Sequence, residues 1–296
     1  MRPWFFAALS NLLVAACIGV VLRSIYIVEI PFVHFKPLLH AHSHVAMLGW
    51  LFIALTVFLL RDETPTGPSR LSRRLLFIAQ LAVVAMLFSF PVQGYGSVSI
   101  PASSVHLLVS YALGWRIWIA TQGWAVQGSR LLARVAVVMM AISTIGVWAM
   151  GPILANKLFG SELYYWSIQF FLHFQFNGWF WFAALALWSR WAETHGVARP
   201  LDRLTIRLWT VSAFLTFALA IAWSERHPLI YAVTSVRVIL QLWAGWRTAN
   251  AIRHAQASLY TKASLWAWRC VTYALIGMGL KVLMQAAVAI PQVAIL

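Results

Sequence analysis

Long apolar runs separated by short polar connections make up almost the whole chain. A helix of about 20 apolar residues crosses a bilayer, and nine runs of roughly this length lie at residues 4–28, 38–60, 72–91, 100–121, 131–152, 163–189, 205–223, 229–248 and 266–291. The connections are rich in Gly, Pro and Ser and too short to link separate domains. The pattern predicts an all-α fold: a polytopic membrane helix bundle of about nine transmembrane helices, forming a single integral membrane domain over residues 1–296.

The composition excludes a soluble globular domain. Hydrophobic residues make up 62% of the chain and charged residues only 10%, whereas soluble domains are about half apolar and a quarter charged. Cys17 and Cys270, the two cysteines, lie in apolar runs at opposite ends of the chain. Neither a disulfide framework nor a thiol redox motif is therefore indicated.

The positive charge is distributed unevenly between alternate connections. A formal net charge of +15 would suit a nucleic-acid partner in a soluble protein, but in a membrane protein Lys and Arg mark the cytoplasmic loops. With the N-terminus placed inside, 16 of the 22 Lys and Arg residues fall on the inner side. We expect an N-in/C-out orientation in a bacterial-type inner (cytoplasmic) membrane, with the lipid bilayer and not nucleic acid as partner.

Three histidines at alternate positions, His40, His42 and His44, open the second apolar run. On a helix, His40 and His44 share a face, and His42 points nearly the opposite way. Polar side chains are costly in lipid, and imidazole is the commonest metal ligand. The segment is therefore a candidate site.

Further polar side chains fall at a similar depth in later runs. With a rise of about 1.5 Å per residue, the predicted orientation places them, like His44, in the outer half of the bilayer. They are His106, His173, Arg237, Lys281 and Gln285. The shared depth predicts one site, or two adjacent sites, facing the outer side of the membrane.

Haem is the first chemistry that this set suits. His44, His106 and His173 are candidate axial ligands of the iron. Arg237 and Lys281 are candidate partners for the propionates, because cations form strong hydrogen bonds with carboxylates.

Smaller features of the sequence support a haem site. Gln175, Asn177 and Gln285 are candidates to orient a ligand imidazole through hydrogen bonds. Gly49, Gly114 and Gly178 offer room for a flat ring. For each buried histidine taken alone, a hydrogen-bonded packing role is an equal alternative, and Arg237 and Lys281 have the alternative of extending toward the membrane surface.

A small copper or zinc centre is the second chemistry, since several imidazoles suit either metal. Its candidate ligands are His40, His42, His44, His106 and His173. All seven acidic residues lie in connections or at the ends of runs. A carboxylate-bridged di-iron site and a proton pump are therefore disfavoured, because a pump usually relays protons through intramembrane carboxylates.

The run from His42 to Trp50 resembles the HxHxxxLGW signature in the catalytic subunit of C-type haem-copper oxidases. In that family the two histidines ligate the two haems. The segment from His173 to Phe180 is more loosely similar to the family's histidine-then-glycine helix, which carries a copper ligand. The resemblance implies arcs of four helices with ligand histidines near the outer side.

The chain also departs from the family's pattern. It has nine predicted spans where the family has about twelve, no His-His pair for copper, and Asn177 where the family has a tyrosine four residues after the histidine. It is similar to a shortened oxidase subunit, or to the histidine-rich haem-and-copper membrane proteins linked to nitric oxide response. Oxygen reduction is not implied, and whether the chain is an enzyme stays open.

The expected function is that of a membrane haem protein, with or without copper, for electron transfer or binding of a diatomic gas. A redox partner or oxidase subunits would be its protein partners. Two alternatives stay open. One is a transporter or binding protein without redox chemistry, using the same pocket for a metal ion or an anionic ligand. The other is a haem or copper assembly factor for an oxidase.

Overall fold

The computed structural model describes residues 1–124, 127–198, 200–222, 224 and 228–288. Within these ranges the fold is all-α, with no strand. Nine long helices account for most of it: α1 Arg2–Ser24, α2 Phe35–Leu59, α3 Arg70–Gln93, α4 Ser99–Ala120, α5 Gln127–Ala155, α6 162–194, α7 Arg203–Ile221, α8 Pro228–Leu259 and α9 Leu265–Val288. Each coincides with one predicted run, although the end of the ninth run, 289–291, lies outside the described residues.

Six of these helices are long and apolar enough to cross a membrane. They are α1, α2, α3, α7, most of α5 (Gly128–Ala155) and most of α9 (Leu265–Ala287). The other three, α4, α6 and α8, contain the buried polar side chains His106, His173 and Arg237. These six helices agree with the predicted membrane character of the chain, while the count of nine spans and the orientation stay predictions.

The chain divides into two compact units, Met1–Gly123 and Trp124–Leu296. The first unit contains α1 to α4, and the second contains α5 to α9. The single integral membrane domain over residues 1–296 stays a prediction.

In the first unit, α3 packs against both α2 and α4, and α1 packs against the middle of α2. Small and apolar side chains from three helices form its core around Ala15, Ala41, Val83, Met86 and Phe90. The small residues let the helix backbones approach closely, as is typical of helix contacts within a membrane.

In the second unit, α5 packs along α6, α7 pairs with α8, and α9 packs against α8. A separate apolar cluster joins the ends of α6, α8 and α9 through Ala192, Ala255, Leu259 and Trp268. The indole Nε1 of Trp268 also donates to the Tyr260 carbonyl at 3.2 Å.

A π-helical segment interrupts one helix in each unit. In α2 it covers Val45–Phe52, and in α6 it covers Phe174–Phe180. Each begins directly after a histidine, and both copies carry the same spacing, His-x4-Gly-Trp, at residues 44–50 and 173–179. Because π-helical turns are rare and concentrate at functional sites, the two segments are the first places to look for function.

The helix order is also repeated. Each unit begins with a plain helix, continues with the helix that contains the π segment, and adds two more helices. The second unit then has a fifth helix, α9.

The loop between α2 and α3 is held by Glu63. Its carboxylate accepts hydrogen bonds from the Ser69 backbone N–H at 2.8 Å, the Ser72 hydroxyl at 2.9 Å and Arg116 Nε at 2.8 Å. Burial would raise the pKa of the Glu63 carboxyl, but these hydrogen bonds outweigh it and lower that pKa below its usual range.

The lowered pKa predicts a contribution to stability that depends on pH. Because the carboxyl of Glu63 loses its proton more readily in the folded chain, it stabilises the fold above its ordinary pKa, and this stabilisation is lost as the pH falls. We expect Glu63→Gln to cost about 2 kcal/mol of unfolding free energy at pH 7 and to weaken the loss of stability between pH 7 and pH 3. Unfolding midpoints across this range test the prediction, and an unchanged slope would contradict it.

Candidate functional site

His44, the last α-helical residue before the π segment of α2, has a ring fixed by its own helix. Its Nδ1 donates to the His40 carbonyl at 2.8 Å. Because a carbonyl only accepts, Nδ1 carries the proton, and Nε2 keeps its lone pair. The ring packs against Phe90, with centroids 4.5 Å apart, and lies 6.3 Å from the ring of Tyr95.

His40 lies on the same face of α2, as predicted. Its ring is 4.9 Å from that of Tyr95 and 5.8 Å from that of Phe90. The two histidines thus share one aromatic wall formed by α3 and the residues that follow it.

His42 faces α1 instead. Its Nδ1 donates to the Ala15 carbonyl at 2.9 Å, and its ring lies against Gly19. The opposite directions of His42 and His44, expected from helix geometry, are therefore confirmed. In both rings Nδ1 carries the proton, and Nε2 is the nitrogen with the lone pair.

His106 on α4 is almost fully buried, with 2% of its surface exposed. Its ring packs edge-on against Phe52, which belongs to the π segment of α2, with centroids 4.9 Å apart. Nε2 of His106 is buried and has no hydrogen-bond partner among the described residues.

The π segment of the first unit is anchored by two amides that the sequence did not single out. Asn11 Nδ2 donates to the Gly49 carbonyl at 2.9 Å and to Gln80 Oε1 at 2.8 Å, and Gln80 Nε2 donates back to Asn11 at 3.2 Å. The sequence did contain an indication, because Asn11 and Gln80 are each the only amide side chain within a predicted apolar run. Such residues in a membrane bundle usually form contacts between helices.

The glycines of the repeated motif leave no open room. A side chain at Gly49 would meet Asn11 and Val83, and one at Gly178 would meet Met139. The expectation that Gly49 and Gly178 accommodate a flat ring is therefore wrong. In this structure their missing side chains allow neighbouring helices to pack closely against the π segments.

His173 occupies the same motif position in the second unit, but its ring is held differently. Nε2 donates to the Ala213 carbonyl at 2.7 Å, so Nδ1 carries the lone pair and accepts from Asn177 Nδ2 at 3.2 Å. Asn177 Oδ1 in turn accepts from Lys281 Nζ. Both ring nitrogens of His173 are therefore engaged, and the expectation that Asn177 orients an imidazole is met.

Arg237 is fully buried and, among the described residues, donates to neutral oxygens. Its partners are Gln285 Oε1 at 3.3 Å, the Gln285 carbonyl at 2.9 Å and the Thr234 carbonyl at 3.4 Å. Gln285 thus holds a cation and not an imidazole. Gln175 does not orient an imidazole either, because its Nε2 donates to the Ser143 hydroxyl at 2.9 Å.

The predicted set is therefore distributed over the two units. His40, His42, His44 and His106 belong to the first, whereas His173, Gln175, Asn177, Arg237, Lys281 and Gln285 belong to the second. Within the first unit, His40 and His44 share a face, and His106 contacts the same helix. Whether all ten residues form one site stays a prediction.

A copper or zinc centre finds no support in these contacts. Among the described residues, no three His, Cys, Asp or Glu side chains are arranged to hold a metal ion. The predicted ligand set for such a centre, His40, His42, His44, His106 and His173, is therefore not assembled.

No family model, curated protein or solved structure matches the chain. The relationship to haem-copper oxidases suggested by residues 42–50 thus stays a prediction.

Proposed function

We propose that the chain is an integral membrane haem protein and that its first unit holds the haem through His44 and His106. The observation that carries the proposal is the state of these two rings. Nδ1 of His44 donates to the His40 carbonyl, which leaves a lone pair on its Nε2, and Nε2 of His106 is buried with no hydrogen-bond partner in the described part of the chain. An imidazole whose other nitrogen donates to a carbonyl is the usual form of a histidine that binds a metal.

The buried Nε2 of His106 is costly unless something occupies it. A buried polar atom without a partner costs about 1–3 kcal/mol, and haem iron accepts the lone pair of an imidazole nitrogen. Haem, when bound, supplies reversible one-electron chemistry and an iron able to bind small gases.

The surrounding residues would act on the ligands through geometry. The His40 carbonyl holds the His44 ring in one orientation. The buried side chains of Phe52 and Phe90 pack against the rings of His106 and His44, respectively, and lower the local polarity.

Electron transfer is the function that a pair of histidine ligands supports best. If His44 and His106 both held the iron, the haem would supply one-electron transfer to and from a redox partner, not a binding position for a gas. Nine spans, an N-in/C-out orientation, the inner membrane and arcs of four helices complete the proposal. They rest on the charge pattern and on the resemblance of residues 42–50.

His173 is not part of the proposed ligand pair. Both of its nitrogens are engaged by Ala213 and Asn177, so binding iron would cost one of these hydrogen bonds. The transporter and the assembly-factor alternatives stay predictions, and no contact in the described part of the chain favours either over haem.

Purification from haem-replete cells tests the proposal. We expect a Soret band, about one haem per chain by pyridine haemochrome, and no stoichiometric copper or zinc by elemental analysis. Protein that is folded by circular dichroism yet shows no Soret band would refute it.

A further inference from the structure

A small cavity lies in the second unit where α6, α7, α8 and α9 meet. Its volume of ≈ 10 Å³ is about the space that one water molecule needs. It is lined by Trp181, Trp209, Gln241, Met278, Lys281 and Val282. The cavity is thus too small for an anionic ligand or a hydrated metal ion.

Two of the lining side chains have buried polar atoms without a partner. These are the indole Nε1 of Trp181, a donor, and Oε1 of Gln241, an acceptor. Gln241 is only 3% exposed, and burying such atoms unpaired in a membrane bundle is costly.

The orientation of the Gln241 amide follows from its other contact. Gln241 Nε2 lies 3.0 Å from Thr216 Oγ1, and Thr216 Oγ1 in turn donates to the Ser212 carbonyl. Because the Thr216 proton is already used, Gln241 must donate through its NH₂ group, which leaves its carbonyl oxygen without a partner.

Lys281 supplies a third polar group. Its ammonium lies 5.8 Å from the centre of the Trp181 ring and donates to Asn177 Oδ1. It forms no ion pair with a carboxylate among the described residues. An ammonium carries three protons, so two remain for other acceptors.

We propose that the cavity holds one ordered water molecule bound to Trp181, Lys281 and Gln241. Water matches the set, because it can accept from Trp181 Nε1 and Lys281 Nζ and donate to Gln241 Oε1. An anion would meet the Gln241 oxygen, and a cation would meet the two N–H donors. Neither fits as well.

This water completes a hydrogen-bond network with two branches, each of which starts at Lys281 and ends at a backbone carbonyl of α7. One branch runs from Lys281 through Asn177 and His173 to the Ala213 carbonyl. The other runs from Lys281 through the water to Gln241, Thr216 and the Ser212 carbonyl. In both branches each group donates its hydrogen bond to the next group along the chain away from Lys281. The two chains of neutral groups therefore spread the positive charge of the ammonium, which has no carboxylate partner among the described residues.

Nuclear magnetic resonance of the indole groups tests for the water directly. The Trp181 signal is assigned by its loss in Trp181→Phe, and we expect a cross-peak between this indole proton and a slowly exchanging water in the wild-type protein. Trp268, whose indole donates to Tyr260, serves as the control without a water contact. No water cross-peak at Trp181 in the folded wild-type protein would overturn the proposal.

A double-mutant cycle tests the link between Lys281 and Gln241. If a water joins them, Gln241→Met should change the unfolding equilibrium constant about fivefold more in the wild-type background than in Lys281→Met. Gln256→Met, on the same helix but about 22 Å away, should have the same effect in both backgrounds. Additive effects of the Lys281 and Gln241 substitutions would overturn the proposal.

Discussion

His44→Ala is expected to abolish the Soret absorption of the purified protein while leaving its helix content unchanged. The substitution removes a ring whose Nε2 carries a lone pair and whose orientation the His40 carbonyl fixes. Without this ring, haem would keep only one of the two residues proposed to hold it. His106→Ala should have the same effect, because the proposal assigns it the opposite ligand.

Two controls separate this result from general damage. His173→Ala should keep the band, since both nitrogens of His173 are engaged in hydrogen bonds within the second unit. His254→Ala removes an exposed imidazole from α8 and should change nothing. The assignment of His44 as a ligand would be refuted if His44→Ala kept a wild-type spectrum, or if His173→Ala alone removed the Soret band.

Gly146→Ala is expected to destabilise the second unit strongly, by about 3 kcal/mol. A side chain at Gly146 on α5 would overlap the Ser167 carbonyl oxygen and lie 3.0 Å from the Phe171 backbone nitrogen. Backbone atoms cannot turn aside as a flexible side chain can, so the two helices would have to separate.

The matched control for Gly146→Ala is Gly277→Ala. Gly277 lies within α9 and faces open space, so alanine there should be neutral or slightly stabilising through its higher helix propensity. Thermal unfolding in detergent, followed by circular dichroism, measures both variants. Equal midpoints for the two would show that the close approach of α5 and α6 is not as described.

Hydrophobic runs predicted the helices closely, because a membrane helix must be apolar over its whole crossing. The second run, 38–60, became Phe35–Leu59. The predicted end of the eighth helix was wrong, because the apolar run stops at 248 whereas the helix continues to Leu259. Hydropathy reports where apolar residues end, and a helix can continue as a polar segment beyond that point.

The sequence pattern did not predict which ring nitrogen of each histidine carries the proton or which groups the two nitrogens hydrogen-bond. His44 and His173 share the same motif, but the hydrogen bonds to their nitrogens come from different places. His44 bonds to its own helix, whereas His173 bonds to α7 and to Asn177. Partners from distant helices depend on packing, which periodicity does not encode. The π segments escaped prediction because an extra residue in one turn leaves the apolar pattern unchanged.

The two copies of the His-x4-Gly-Trp segment can be compared with each other within the same chain. Position four after the histidine is Leu48 in one copy and Asn177 in the other, and only the asparagine side chain reaches back to its histidine. A protein with two copies of an element can keep one for chemistry while the other takes on a purely architectural task. Exchanging residues between the two copies, each in its own helix, offers a way to learn which few positions separate the two tasks.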